Sequence, residues 1–147
     1  MYLYRFNVNR YIRKVECKRH RLGISVYPNN SNLDETKDYI RLASKYGFER
    51  IFTCLISATD KNIEEIIEDF KEILQVANEN KMEVIADIDP TVFKKLDASI
   101  FDLKVFKDMG LSGIRLDMGF SGYEESVMTY NKYGLKIELN ISNGTKY

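Results

Sequence analysis

The chain has 147 residues, of which 44% are hydrophobic and 30% charged, and its formal net charge at pH 7 is zero. This length provides one domain with its own core and is too short for two domains of ordinary size. The neutral balance excludes a global field that would attract nucleic acid or an anionic membrane. No segment approaches the ~20 apolar residues of a membrane-spanning helix. We therefore expect neither nucleic acid nor membrane as a partner.

Residues 1–21 differ in composition from the rest of the chain. They contain seven Lys and Arg residues against one acidic residue, Glu16. Aromatic residues alternate with the basic ones, as in a nucleic-acid-binding arm or a presequence. Polar residues interrupt every hydrophobic run, which excludes a secretory signal. We interpret residues 1–21 as a basic leader outside the fold and residues 22–147 as the folded part.

Cysteine and histidine are too few and too far apart for the usual metal or nucleophilic sites. Cys17 and Cys54 lack metal-ligand spacing, and in an α/β chain they indicate the reduced thiols of a cytoplasmic protein. The single histidine, His20, lies in the leader. We therefore expect no metal ion and no histidine-based triad, so acid/base chemistry would fall to carboxylates.

Five short apolar segments alternate with amphipathic segments after the leader. We predict strands at residues 22–27, 50–56, 83–88, 113–117 and 136–141. Between them, apolar residues recur every three or four positions, which predicts helices over residues 33–43, 63–77, 90–96, 99–109 and 123–133. Four of the strands follow a Gly or Asn of the kind that ends helices in the left-handed conformation: Gly47, Asn80, Gly110 and Gly134.

Strands that alternate with helices predict a parallel sheet with right-handed crossovers. Side chains alternate between the two faces of a strand, and here one face is apolar and the other polar. Helices cover both faces of a doubly wound sheet, where mid-strand charges would be costly. In a closed barrel, polar residues at the carboxyl ends of strands line the active-site mouth. We predict an α/β fold built from parallel (β/α) units of a TIM barrel, with about five strands and the barrel incomplete.

The polar strand ends supply the candidate site. The candidate catalytic residues are Asp117, Glu138 and Asp87. Neighbouring strands lie ~4.8 Å apart, so Asp117 and Glu138 at similar height would approach the ~5 Å carboxyl separation of retaining glycosidases. Asp87 and Glu138 would approach the ~6.5–9.5 Å of inverting enzymes. The candidate substrate-binding residues are Arg115, Asn140, Asp89 and Tyr27.

Each polar residue also has a structural interpretation. Asp89 would cap a helix that begins at Pro90. Arg115 would neutralise a neighbouring aspartate, and Asn140 would be an ordinary polar residue of a loop. These alternatives stay open at the level of the sequence.

Several segments resemble the N-terminal barrel of the bacterial 6-phospho-N-acetylmuramidases, called outer surface proteins in older usage. They are LGISVYP at 22–28, IFTCL at 51–55, IADIDP at 85–90, GIRLDMGF at 113–120 and IELNI at 137–141. The resemblance covers roughly residues 22–143. It implies a cytoplasmic glycoside hydrolase of peptidoglycan recycling that needs no organic cofactor. Its implied substrate is a phosphorylated amino-sugar disaccharide, cleaved at the β-1,4 bond between N-acetylmuramic acid 6-phosphate and N-acetylglucosamine.

The resemblance is to part of a longer pattern, since the family has a complete barrel followed by a smaller, mostly β domain. We therefore expect a truncated N-terminal half-barrel with little activity alone. The alternative is a non-catalytic half-barrel that self-associates or binds a partner through its exposed sheet edges. An aldolase is disfavoured because Lys136 lies at the start of its strand, the wrong end for a Schiff-base lysine.

Overall fold

The computed structural model describes residues 21–28, 32–55, 63–117 and 119–140. Ten elements follow one another within these ranges: β1 (Gly23–Val26), α1 (Leu33–Lys45), β2 (Arg50–Cys54), α2 (Ile63–Glu79), β3 (Glu83–Ile88), α3 (Pro90–Lys95), α4 (Lys104–Asp108), β4 (Gly113–Leu116), α5 (Gly122–Thr129) and β5 (Lys136–Leu139). The strands form one parallel sheet in the order β1-β2-β3-β4-β5. The predicted α/β fold class with sequential parallel strands is confirmed. Residues 1–20 of the leader lie outside the described residues.

The glycines predicted to take the left-handed conformation do so, but two helices differ from the prediction: α5 already ends at Thr129, short of Gly134, and α2 is followed by a different left-handed residue. Gly47, Gly110 and Gly134 take positive φ values of 83°, 98° and 68°. After α2, however, the left-handed residue is Lys81 (φ 57°) and not Asn80. The backbone N–H and the side-chain amide of Asn80 both donate to the carbonyl of Val76, at 3.1 and 2.8 Å, so Asn80 continues the helical hydrogen bonding directly after Glu79. The prediction that Asn80 takes the left-handed conformation was therefore wrong by one residue.

The helix predicted over residues 99–109 is shorter than expected. Only Lys104–Asp108 is helical. Ahead of it, the Ser99 hydroxyl accepts from the N–H of Phe101 at 3.2 Å, and the Asp102 carboxylate accepts from the N–H of Lys104 at 3.1 Å. Short polar side chains that bond to nearby backbone in this way compete with helical hydrogen bonds. Residues 99–103 therefore form a turn.

The hydrophobic core lies on one face of the sheet. Strand residues such as Ile51, Val84 and Ile114 are fully buried in a cluster with the helix residues Ile40 and Phe70. Fully burying an aliphatic or aromatic side chain of this size contributes about 1.5–3 kcal/mol. The described helices therefore cover the face of the sheet on which the apolar strand residues lie, and we call it the outer face. The other face, the inner face, carries the polar residues.

The strand register arranges the inner face in rows. The central row, defined by the pairings from β2 to β5, consists of Cys54, Asp87, Arg115 and Glu138. Backbone hydrogen bonds extend the pairing beyond the strands, from the N–H of Asp117 to Ile88 and from the N–H of Asn140 to Leu116. The pair Asp117 and Asn140 therefore forms an upper row, one inner-face position nearer the carboxyl ends of the strands.

Candidate functional site

Arg115 and Asp87 form a two-point ion pair in the central row. The Nε and Nη2 atoms of Arg115 donate to the two oxygens of Asp87 at 3.1 and 3.0 Å. The guanidinium carbon of Arg115 also lies 4.1 Å from the ring centroid of Phe52, a cation–π distance. The hydrogen bonds to Asp87 raise the pKa of Arg115 above its ordinary value. Arg115 is therefore held by Asp87 and by the ring of Phe52, and its two hydrogen bonds fix Asp87 in one orientation.

Glu138, the last residue of the central row, has a different cation as its partner. Nη2 of Arg50 donates to Oε1 of Glu138, although β3 and β4 separate their strands. Side chains stand roughly perpendicular to a sheet, and in a flat sheet three strand spacings amount to roughly 14 Å. A direct contact between β2 and β5 therefore requires the sheet to curl toward its inner face, as a barrel wall does.

Asp117 has a neutral partner. The amide nitrogen of Asn140 donates to Oδ1 of Asp117 at 3.1 Å. The register places Glu138 level with Arg115, so Glu138 lies one inner-face position below Asp117. The expectation that Asp117 and Glu138 stand at similar height was wrong, because pairing in this sheet brings Asn140 beside Asp117. The ~5 Å separation inferred for these two carboxylates loses its geometric basis.

Asp89 and Tyr27 lie at the margins of the site. Oδ1 of Asp89 accepts from the backbone N–H groups of Thr91 and Val92 at 2.7 and 3.0 Å, which makes Asp89 the N-cap of α3. Tyr27 follows β1 and is 41% exposed. The capping role of Asp89 is thus present, and substrate binding by Asp89 and Tyr27 stays a prediction.

The contribution of β2 to the site was not predicted from the sequence. Arg50, Phe52 and Cys54 share the inner-face parity and place a cation, a ring and a thiol in the site. Burial raises the pKa of the Cys54 thiol, and the charges of Asp87 and Asp117 raise it further against the opposing effect of Arg115. A thiol with a raised pKa is a poor nucleophile at neutral pH. The alternation of Arg50, Phe52 and Cys54 with Ile51 and Thr53 was the signal that could have identified these residues.

The described part of the chain contains neither a metal-binding cluster nor a membrane-spanning helix. Within the described ranges, no three His, Cys, Asp or Glu side chains are grouped as a metal site requires. Of the helices in the same ranges, none combines the length and the apolar character needed to cross a membrane.

Sequential parallel strands, with the described helices on one face and polar strand ends on the other, define this chain as part of an α/β barrel. Residues 22–147 match the family model described as 6-phospho-N-acetylmuramidase, N-terminal. The chain belongs to this family, in agreement with the resemblance seen in the sequence. The match begins at residue 22, directly after the leader of residues 1–21.

Two of the solved structures that are similar to this chain come from different bacteria. An uncharacterized B. cereus protein is 46% identical, with a TM-score of 0.67, and the alignment covers 86% of this chain and 32% of that one. A conserved Enterococcus faecalis protein of unknown function is 25% identical, with a TM-score of 0.67 and coverages of 86% and 33%. No curated protein matches the sequence. The chain therefore spans about a third of the length of these two structures.

Proposed function

We propose that this chain supplies part of the active site of a cytoplasmic glycoside hydrolase in peptidoglycan recycling. The bond cleaved would be the β-1,4 bond between N-acetylmuramic acid 6-phosphate and N-acetylglucosamine. The observation that carries the proposal is the family match over residues 22–147. The gathering of Asp87, Asp117, Glu138 and Arg115 at the carboxyl ends of neighbouring strands supports it. Paired carboxylates at such a mouth are the groups that glycoside hydrolysis uses.

The partners of the three carboxylates suggest a division of roles. An arginine stabilises only the ionised form of a carboxyl group, whereas a neutral amide can bond to either form. Asp87 and Glu138 bind arginines, while Asp117 binds the amide of Asn140. We therefore assign proton transfer to the glycosidic oxygen to Asp117. The arginine-bound carboxylates would stabilise the positive charge that develops on the sugar, or activate water.

Arg115 is the candidate ligand for a substrate anion. Two of its five N–H groups, on Nε and Nη2, donate to Asp87, which leaves both N–H groups of Nη1 and the second N–H of Nη2 as donors toward the substrate. The substrate offers two anions, the 6-phosphate and the carboxylate of its lactyl group. A guanidinium fixed in orientation loses little further entropy when it binds either of them.

The experiment compares the 147-residue chain with a completed chain. The completed chain carries, after residue 147, the part of the B. cereus protein that follows the matched region. With the 6-phosphorylated muramyl disaccharide, we expect the completed chain to release N-acetylglucosamine and the 147-residue chain to show little activity. The unphosphorylated disaccharide is the control substrate. A folded completed chain that releases no N-acetylglucosamine would refute the proposal.

The exposure of β5 favours a second candidate, a half-barrel that self-associates through its sheet edge. Leu139 is 45% exposed, whereas its register partner Leu116 on β4 is 2% exposed. An exposed apolar edge strand is a common site of strand pairing between chains. Sedimentation velocity over a concentration series tests this candidate, with Leu139→Glu as the variant expected to abolish association. A monomer at every concentration would eliminate the candidate.

A further inference from the structure

Arg115 stands between two carboxylates in the central row. It is in register with Asp87 on β3 and with Glu138 on β5. Adjacent strands lie ~4.8 Å apart, so both carboxylates are neighbours of the same guanidinium. Arg115 nevertheless bonds to Asp87 at two points, and Glu138 bonds to Arg50. Each arginine therefore binds one particular carboxylate, although the register would also allow Arg115 to bind Glu138.

Arg50 lies at the start of β2, in register with Glu83 rather than with Glu138. Glu83 has two other cationic partners, because Lys136 donates to its Oε1 and Nη1 of Arg21 lies 2.7 Å from its Oε2. Glu83 therefore does not depend on Arg50 alone for compensation. The guanidinium of Arg50 extends across the curled sheet to Glu138 instead.

Phe52, at the next inner-face position of β2, also favours the pairing of Arg115 with Asp87. Its ring lies under the guanidinium of Arg115 at 4.1 Å, and that guanidinium faces Asp87. Rotation of Arg115 toward Glu138 would give up this ring contact together with two hydrogen bonds. While Arg50 occupies Glu138, nothing in the described site compensates that loss.

We propose that Arg50 is a positioning residue of this site: by binding Glu138, it keeps Glu138 from competing with Asp87 for Arg115. Without Arg50, Glu138 would turn to Arg115, its register partner on β4, and the two carboxylates would share one guanidinium. Asp87 would then lose its fixed orientation. The catalytic meaning of this arrangement rests on the proposed function, but the pairing itself is testable without any activity.

The first test records ¹H–¹⁵N spectra of the arginine Nε–H groups in the 147-residue chain. In Arg50→Gln, we expect the Arg115 cross peak to shift by more than its line width, while the peak of Arg41, on α1, stays in place. In the double variant Arg50→Gln with Glu138→Gln, the competing charge is absent, and the Arg115 peak should return to its wild-type position. Loss of general packing would not be reversed by this second change. An unshifted peak in folded Arg50→Gln, or a shift that persists in the double variant, overturns the proposal.

The second test is kinetic and covers the case in which Arg50→Gln does not fold as the shorter chain. In the completed chain, Arg50→Gln should lower kcat about tenfold or more and should have a much smaller effect when Glu138 is already Gln. Arg50→Lys, which keeps the cation, should restore part of the loss. Full turnover of Arg50→Gln beside an inactive Glu138→Gln overturns the positioning role. Full turnover of Glu138→Gln instead overturns the catalytic assignment and leaves the spectroscopic test of the pairing intact.

Discussion

Asn140 holds Asp117 through its side chain while its own backbone continues the ladder of the sheet. The amide nitrogen donates to Oδ1 of Asp117 at 3.1 Å, and the backbone N–H of Asn140 donates to the carbonyl of Leu116 at 3.2 Å. Asp117 is bonded in the same way through its N–H to Ile88 at 2.9 Å. The geometry of this carboxyl is therefore set by two strands and not by a loop.

Asp117→Asn keeps the shape of the side chain but removes its carboxyl group, and it should abolish most of the turnover. A neutral amide can neither donate nor accept the catalytic proton, so we expect kcat of the completed chain to fall by ~10²–10⁴-fold with little change in substrate affinity. Asp38→Asn, on the exposed surface of α1, is the matched control and should retain full kcat. Steady-state kinetics with the phosphorylated disaccharide provides the measurement. Unchanged kcat in Asp117→Asn would make this residue structural.

Arg115→Lys should weaken substrate binding more than it slows chemistry. A lysine carries the charge, but its ammonium is a point charge without the planar fork that lets a guanidinium bind Asp87 at two points and present further N–H groups to the substrate. Loss of one hydrogen bond to a charged group costs about 1.5–3 kcal/mol, so KM should rise on the order of tenfold to a hundredfold. Arg41→Lys, on α1, is the control. A fall in kcat at constant KM would show that Arg115 acts on the transition state instead.

Gly113→Ala should destabilise the fold. An added Cβ would lie 2.5 Å from the carbonyl oxygen of Lys136 and 2.8 Å from Cδ1 of Ile85. Because the first of these atoms is backbone, the clash cannot be relieved by a rotamer change, and overpacking of this kind costs about 1–3 kcal/mol. Gly122→Ala is the matched control, because a Cβ added there meets no described atom within 4 Å outside its chain neighbours and its own helix backbone. Thermal melts followed by circular dichroism should show a lower Tm for Gly113→Ala alone.

Two substitutions at Asp89 should separate its capping role from its predicted contact with substrate. Asp89→Ala removes the acceptor for the N–H groups of Thr91 and Val92 and should cost about 0.5–2 kcal/mol of stability. Asp89→Asn keeps the cap and removes the charge. If Asp89 also binds substrate, Asp89→Asn should melt like the wild type and show a raised KM. An unchanged KM would limit Asp89 to the cap.

Glu83 should make the stability of the chain sensitive to acid. Burial alone would raise the pKa of Glu83, but the hydrogen bond from Lys136 and the charges of Lys136, Arg21 and Arg50 outweigh burial and lower it below 4.5. A carboxyl group whose pKa is lowered by folding stabilises the folded state at any pH above its pKa in the unfolded chain. This contribution is lost as the pH falls through its pKa in the folded protein.

Glu83→Gln should therefore be less stable than the wild type at neutral pH and should lose less stability on acidification. Tm measured from about pH 7 to about pH 3 tests this expectation, with Glu68→Gln on the exposed side of α2 as the control. Parallel Tm curves for wild type and Glu83→Gln would contradict it.

The sequence predicts the faces of the sheet better than the contacts on them. Strand parity placed Asp87, Arg115 and Asn140 on one face, because alternation is a local property of an extended chain. The predicted position of Glu138 at the level of Asp117 was wrong, because the relative shift of two parallel strands is set by packing across a whole helical crossover. The Arg50–Glu138 pair was missed, since it depends on a curl that no single strand contains.

The sequential strand order also has a consequence for how the protein assembles. Within the described ranges, each strand pairs with the strands before and after it in the chain, with Gly23 opposite Arg50 and Arg50 opposite Glu83. None of the pairings among these five described strands waits for a distant segment, and the entropy of closing the intervening loops grows only slowly with their length. Because domains form from the N-terminal side during synthesis, each new strand can dock on the strand that left the ribosome before it. The sheet can therefore grow in one direction as translation proceeds.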